Sequence, residues 1–220
     1  KALQAVFPDL ELRADDIQAV FAGIRPVVDT GKTNPSKESR EHVVWQEDGL
    51  LTVSGGKLTT FRLMARDALK SIQERLPEPA AGADEAPVLV TPEDAEAWIG
   101  AAGTLSPAGR LRLVGRYGEN ARQILSSDAT ADLQGIPGTP YLWAELRWSA
   151  GQESIVHLDD LLLRRLRLGL LLPGGGRELL PAIRSIVQPA AGWDALRWQQ
   201  EETAYLEIWQ NCFSPKTHLE

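Results

Sequence analysis

Hydrophobic positions along the chain change period twice. Val43-Val44-Trp45-Gln46-Glu47-Asp48-Gly49-Leu50-Leu51-Thr52-Val53 holds two short runs rich in β-branched and aromatic residues, joined by Asp-Gly. That dipeptide suits a two-residue turn whose central residues need positive φ, so the pattern predicts a β-hairpin. After Gly55-Gly56 the repeat lengthens: Leu58, Phe61, Met64/Ala65, Ala68, Ile72 and Leu76 recur at helical spacing, with Arg62, Arg66, Lys70 and Glu74 elsewhere. A strand therefore turns through two glycines into a helix. Upstream, the run 20–28 carries β-branched and aromatic residues around Gly23, which adds to a mixed α and β reading of the first part.

From residue 91 onward the pattern is helical. Thr91-Pro92-Glu93-Asp94, Ser106-Pro107 and Thr139-Pro140 each pair a capping hydroxyl with proline at a first helical position, marking three expected helix starts. Further helices are expected over 159–172, over 177–187 (kinked or begun late at Pro181) and over 193–209. Pro173-Gly174-Gly175-Gly176 and Pro189-Ala190-Ala191-Gly192 separate them. The stretch 77–87 has three prolines, small residues and no bulky apolar group, so it cannot bury enough surface to order itself. The expected division is a mixed region 1–76, a linker 77–90, a helical domain 91–215 and tag residues 216–220. The fold class is α+β: a small hairpin and helix followed by an all-α domain.

Composition narrows the function classes. Of the 220 residues 43% are hydrophobic and 24% charged, as in a globular protein. The 23 bases and 30 acids give a net charge of −7, the wrong sign for a nucleic-acid partner. Residues 1–76 are neutral, with eleven bases and eleven acids, while 77–104 carry six acids and no base. The single Cys212 excludes an intrachain disulfide, no Cys/His cluster suggests zinc, and a cytoplasmic setting is expected. The apolar run 161–172 is broken by Arg164, Arg165 and Arg167 and is too short to span a bilayer. It reads as helix-core packing, with peripheral membrane contact as the alternative. A start at Lys1-Ala2-Leu3-Gln4, without initiator Met, leads to the expectation of a fragment.

The segment with most chemistry is Ser54-Gly55-Gly56-Lys57-Leu58-Thr59-Thr60. Two glycines let backbone approach a ligand closely, and the helix that follows presents unpaired N–H groups and partial positive charge. An electron-rich ligand atom would be stabilised there, although the same residues also suit a plain strand-to-helix turn capped by Thr59 and Thr60. Arg25 sits in an apolar run, Phe21-Ala22-Gly23-Ile24-Arg25-Pro26-Val27-Val28, and needs an anionic partner, either a ligand or a structural acid. Arg40, in Ser39-Arg40-Glu41, is a second candidate cation or a solvated surface charge. His42 and His157 lack metal-ligand spacing and read as structural or surface residues; Trp143, Trp148, Trp193, Trp198 and Trp209 read as helix packing.

Three blocks together resemble one family. Phe21-Ala22-Gly23-Ile24-Arg25-Pro26, then Ser39-Arg40-Glu41-His42-Val43-Val44, then Gly49 through Ala65 with Ser54-Gly55-Gly56-Lys57-Leu58-Thr59-Thr60 at its centre, are similar in order and spacing to the later part of FAD-dependent glycerol-3-phosphate dehydrogenases. Related flavin oxidases share a Gly-Gly turn but not this set of two arginines and a lysine. Leu142-Trp143-Ala144-Glu145-Leu146-Arg147-Trp148 resembles that family's C-terminal helical domain in layout.

The resemblance implies that 1–76 is the remnant of an FAD and substrate domain. It further implies that Gly55, Gly56, Lys57, Leu58 and Thr59 contact FAD, and that Arg40 and Lys57 hold the phosphate of glycerol 3-phosphate. Arg25 would lie near the reacting hydroxyl. The proton acceptor is Lys57 after desolvation, a histidine, or a residue outside the chain. Implied partners are an N-terminal FAD domain, a quinone, the inner membrane face and a second copy as homodimer. The Gly-x-Gly-x-x-Gly fingerprint is absent from the 220 residues, so the isolated chain is expected to hold no flavin and to be inactive. Two rival readings stand beside this one: a helical interaction or membrane-contact module, and another flavin oxidase of the same superfamily.

Overall fold

The computed structural model describes residues 2–11, 13–24, 41–78, 105–126 and 130–215. Its elements run α1 (Ala2–Val6), β1 (Val43–Glu47), β2 (Leu50–Ser54), α2 (Phe61–Ser71), α3 (Pro107–Tyr117), α4 (Asn120–Leu125), α5 (Trp143–Gln152), α6 (Leu168–Leu171), α7 (Leu180–Ala190) and α8 (Ala195–Cys212). A π-helical turn covers Asp160–Arg165, and short 3-10 turns include Leu58–Thr60 and Pro173–Leu179. Helix dominates and the sheet has two strands, an α+β fold. The chain divides into two compact units, Ala22–Ala86 and Lys1–Phe21 with Pro87–Glu220. Residues 1–21, which the sequence pattern grouped with the hairpin, thus belong with the helices.

In the smaller unit β1 and β2 pair antiparallel, Val43 opposite Ser54 and Glu47 opposite Leu50. Asp48 and Gly49 take φ of +47° and +83°, the primed turn whose twist matches the strands. Gln46 Nε2 donates to the Ser71 carbonyl at the end of α2, tying β1 to the helix. No described side chain of this unit is buried: Leu58 is 90% exposed, and Trp45, Leu50, Phe61, Leu63 and Leu69 lie open as well.

The larger unit carries the core. Leu146, Leu158, Leu161, Leu162, Leu166, Leu168, Ile183, Val187, Trp198 and Tyr205 are buried together, each contributing about 1.5–3 kcal/mol by leaving water. A second cluster joins Leu113, Val114, Tyr117, Ala121 and Ile124 of α3 and α4 to Leu142 and Ala144. Ser106 caps α3 by accepting from Gly109 N at 3.2 Å, with Pro107 in the first turn as expected. Asp194 does the same for α8 from Arg197 N at 2.7 Å.

Several expected helices change shape. The single helix over 159–172 is broken: the π turn is followed by Arg167 at φ +54° and then by α6. Three consecutive leucines, 161–163, spread around a regular helix too widely to share one buried face. The wider turn and the break bury all three with Leu166 and Leu168, leaving Arg164, Arg165 and Arg167 exposed. This stretch packs the core instead of lying open for a membrane. Thr139-Pro140 starts no helix; Thr139 closes a turn onto the Ile136 carbonyl, and α5 begins at Trp143. Arg177 lies in a 3-10 turn, and α7 begins late, with Pro181 in its first turn where no N–H is missed. Pro189 falls inside the last turn of α7, so that helix ends later than its proline suggests. Val20–Ile24 forms no strand, and Thr91-Pro92 and the linker core lie outside the described residues. Trp198 and Trp209 are core residues, and Trp143, Trp148 and Trp193 pack at its edges.

Candidate functional site

The strand-to-helix turn is built by sterics first. Gly55 and Gly56 both take φ of +81°, a backbone conformation that residues with a Cβ avoid. Close approach reinforces the choice: a Cβ at Gly55 would sit 2.6 Å from the Glu41 carbonyl oxygen, and one at Gly56 would sit 2.4 Å from Met64 Sδ and 3.3 Å from His42 Cβ. The turn is thus clamped between the chain entering β1 and the first full turn of α2.

Its polar groups then follow. Thr60 Oγ1 accepts from Lys57 N at 3.2 Å and donates to the Lys57 carbonyl at 2.9 Å, so the Lys57 amide is satisfied inside the turn. Leu58 and Thr59 open the 3-10 turn, where N–H groups have no acceptor within the helix. Gly55 and Gly56 N–H groups likewise meet no acceptor among the described residues. Four backbone donors remain for a ligand, at the positive end of α2. Lys57 is exposed and has no acidic partner among the described residues, so its side chain adds a fifth donor.

The arrangement therefore suits an electron-rich or anionic ligand edge approaching backbone closely. The pyrimidine edge of a flavin, which carries carbonyl and ring-nitrogen acceptors, would meet those donors, while the space that each missing Cβ leaves is filled by Glu41, His42 and Met64. Of the sequence-derived residues, Gly55, Gly56, Lys57, Leu58 and Thr59 come together in this turn, whereas Arg25 and Arg40 lie outside the described residues. A hydrogen bond absent from the sequence reading joins His42 Nε2 to Asp67 Oδ2 at 2.8 Å, 25 positions apart. Its only sequence signal is that Asp67 stands one turn after Met64, the residue against Gly56.

The larger unit offers fewer leads. An open cavity of about 510 Å³ is lined by residues including Asp15, Ile17, Arg177, Trp209 and Ser214, a mixture that specifies no ligand class. Among the described residues no cluster of three His, Cys, Asp or Glu side chains could hold a metal, and no helix is long and apolar enough to cross a membrane.

Comparison with known proteins adds the following. Residues 71–198 match the family described as the C-terminal domain of alpha-glycerophosphate oxidase. The chain is 32% identical over 207 residues to glycerol-3-phosphate dehydrogenase 2 of Mycobacterium bovis, covering 87% of the chain and 34% of the relative. It is 29% identical over 187 residues to the aerobic glycerol-3-phosphate dehydrogenase of Bacillus subtilis, covering 75% and 33%. The chain thus spans about a third of the length of the curated relatives it matches. Among solved structures, the glycerol-3-phosphate dehydrogenase from Bacillus halodurans complexed with FAD aligns with a TM-score of 0.62 and 21% identity, over 94% of this chain and 43% of the other. That likeness is one of fold.

Proposed function

Because the chain belongs to the family of the C-terminal domain of alpha-glycerophosphate oxidase, we propose that it is the C-terminal part of an FAD-dependent glycerol-3-phosphate dehydrogenase. In this reading the hairpin, turn and α2 are the remnant of the FAD and substrate domain, and the helical unit is that enzyme's C-terminal domain. The whole enzyme oxidises sn-glycerol 3-phosphate to dihydroxyacetone phosphate, and FAD, when bound, supplies the hydride acceptor. The observation that carries the reading is the Gly55-Gly56 turn, with four free backbone donors and Lys57 at the head of α2.

Each residue then has a task. Gly55, Gly56, Leu58 and Thr59 direct N–H groups at the pyrimidine edge of the flavin, where negative charge grows during hydride transfer. Lys57, through its ammonium, and Arg40 bind the substrate phosphate by charge-assisted hydrogen bonds. Arg25 orients the substrate near its reacting hydroxyl, and the proton leaves to Lys57, to a histidine or to a base supplied by the N-terminal FAD domain. The remaining partners are a quinone reached at the inner membrane face, with the enzyme peripheral on the cytoplasmic side, and a second copy in a homodimer.

The test uses the full-length protein carrying this chain, assayed with glycerol 3-phosphate and an artificial electron acceptor. Arg40→Ala and Lys57→Ala should each raise KM for glycerol 3-phosphate at least tenfold, the loss of one charged hydrogen bond at about 1.5–3 kcal/mol. The isolated 220-residue chain should show neither flavin absorbance nor activity. Unchanged KM in both variants removes the substrate assignment, and a yellow, active isolated chain removes the division of the cofactor site.

A further inference from the structure

The Gly55-Gly56 turn is held from two sides, and one residue touches both. Glu41, whose carbonyl oxygen lies under Gly55, is followed directly by His42, whose Cα and Cβ lie against Gly55 and Gly56. The His42 ring then crosses to α2, where Nε2 meets Asp67 Oδ2 at 2.8 Å. Asp67 stands one helical turn beyond Met64, whose thioether covers the other side of Gly56. Strand entry, turn and helix are linked in one closed circuit. The pair is shielded unevenly, His42 being 15% exposed and Asp67 42%.

The chemistry fixes the direction of the bond. An ionised Asp67 only accepts, so Nε2 carries the proton, and the bond is of the charge-assisted kind. The bond joins the strand entry to α2 beside the two left-handed glycines. Gln46 to Ser71 fixes the far end of α2, and the Thr60 hydroxyl bonds Lys57.

We propose that His42 and Asp67 are positioning residues that hold the Gly55-Gly56-Lys57 turn in its ligand-binding form, with neither touching the ligand. The assignment rests on the functional reading above, to which it adds the element that preorganises the backbone donors. Preorganised donors stabilise developing charge without reorganising during the reaction, so loosening the turn weakens both ligand binding and the chemical step.

The experiment compares wild type, His42→Ala, Asp67→Ala and His42→Gln in the full-length protein. Gln is the conservative variant because its Nε2 can donate to Asp67. Amide hydrogen exchange is followed over residues 54–60, with 143–152 as the internal reference, alongside the flavin absorption spectrum and KM and kcat for glycerol 3-phosphate. The Ala variants should speed exchange in 54–60 about tenfold with the reference unchanged, shift the flavin band and raise KM; His42→Gln should restore all three. Wild-type exchange in His42→Ala overturns the proposal, as does faster exchange with an unchanged flavin band and KM, or equal effects of Ala and Gln. A wild-type protein that ignores glycerol 3-phosphate defeats the functional reading, while the exchange comparison still decides whether the pair holds the turn.

Discussion

Arg112 of α3 grips Glu145 of α5 with its two terminal guanidinium nitrogens, Nη1 and Nη2, at 2.8 and 2.5 Å, and Glu145 is fully buried. The same carboxylate accepts from Leu142 N at 2.7 Å, so one side chain caps α5 and ties it to α3. The bond to Glu145 pushes the Arg112 guanidinium up from its ordinary value against the opposing effect of burial. Removing Arg112 leaves the buried Glu145 carboxylate uncompensated, at about 3–5 kcal/mol, removing Glu145 leaves a partly exposed guanidinium and an open cap at Leu142 N, and removing both is milder than the sum. Arg112→Met and Glu145→Leu should each lower the denaturation midpoint strongly, and the double variant should lose less than the sum. Additive losses in a urea unfolding series would contradict the pairing.

Asp160 links stability to pH. Burial alone would raise its carboxyl, but the backbone N–H groups of His157 and Val156, followed by Arg164, outweigh burial and hold it below the ordinary value of 3.8. The unfolded chain therefore binds more protons in this range. The carboxylate contributes stability above 3.8, and that contribution is lost as pH falls through the depressed folded value. Asp160→Asn keeps one acceptor oxygen and removes the titration. Wild type should exceed it by about 1 kcal/mol at pH 7, with the difference vanishing in acid. Urea unfolding of both proteins across that range checks the trend; a constant difference would oppose it.

What the sequence revealed, and what it hid, follows the range of the forces involved. The hairpin, the Asp48-Gly49 turn and the helix after Gly56 are local, set by φ preference and hydrophobic period, and they stand where the pattern puts them. The break at Arg167 is not local: 161–172 reads as one helix until Ile183, Val187 and Trp198 are present to demand a flatter apolar face. Thr139-Pro140 misled for a related reason, because a hydroxyl before proline suits a turn as well as a cap. At the site, Gly55 through Thr59 were visible as a contiguous motif. The His42–Asp67 bond joins positions 25 apart, and no spacing rule reaches that far.

Tyr205 and Trp209, one turn apart on α8, anchor two glycines. Tyr205 Oη donates to the Gly175 carbonyl, and Trp209 Nε1 donates to the Gly169 carbonyl at 2.7 Å. Burial pushes the Tyr205 hydroxyl up, so it stays a proton donor through the neutral range. Neither glycine has room for a methyl: a Cβ at Gly175 would lie 2.7 Å from the Trp209 ring, and one at Gly169 would lie 2.5 Å from Tyr205 Oη. Gly175 also holds φ of +71°. Tyr205→Phe should cost about 1–3 kcal/mol by orphaning a buried carbonyl. Gly175→Ala should cost more, since strain and overlap add. Thermal unfolding followed by tryptophan fluorescence should rank them so, and the reverse order would refute the account.

The two glycines of the turn should fail differently. At Gly55 the obstacle is a backbone oxygen, Glu41 O at 2.6 Å, two residues before β1, which cannot swing aside as a side-chain end can. At Gly56 the nearest obstacle is the thioether of Met64, a flexible end that can swing aside, leaving chiefly the left-handed strain of about 1–2 kcal/mol. Gly55→Ala should therefore abolish flavin retention by the full-length protein, and Gly56→Ala should only weaken it. Shortening the obstacle separates the two causes: Met64→Ala should improve flavin retention in a Gly56→Ala background and give nothing in a Gly55→Ala background. Flavin content per polypeptide, read by absorbance after purification, tests the pattern. Equal rescue of both glycine variants would mean that the turn is closed by something other than Glu41 and Met64.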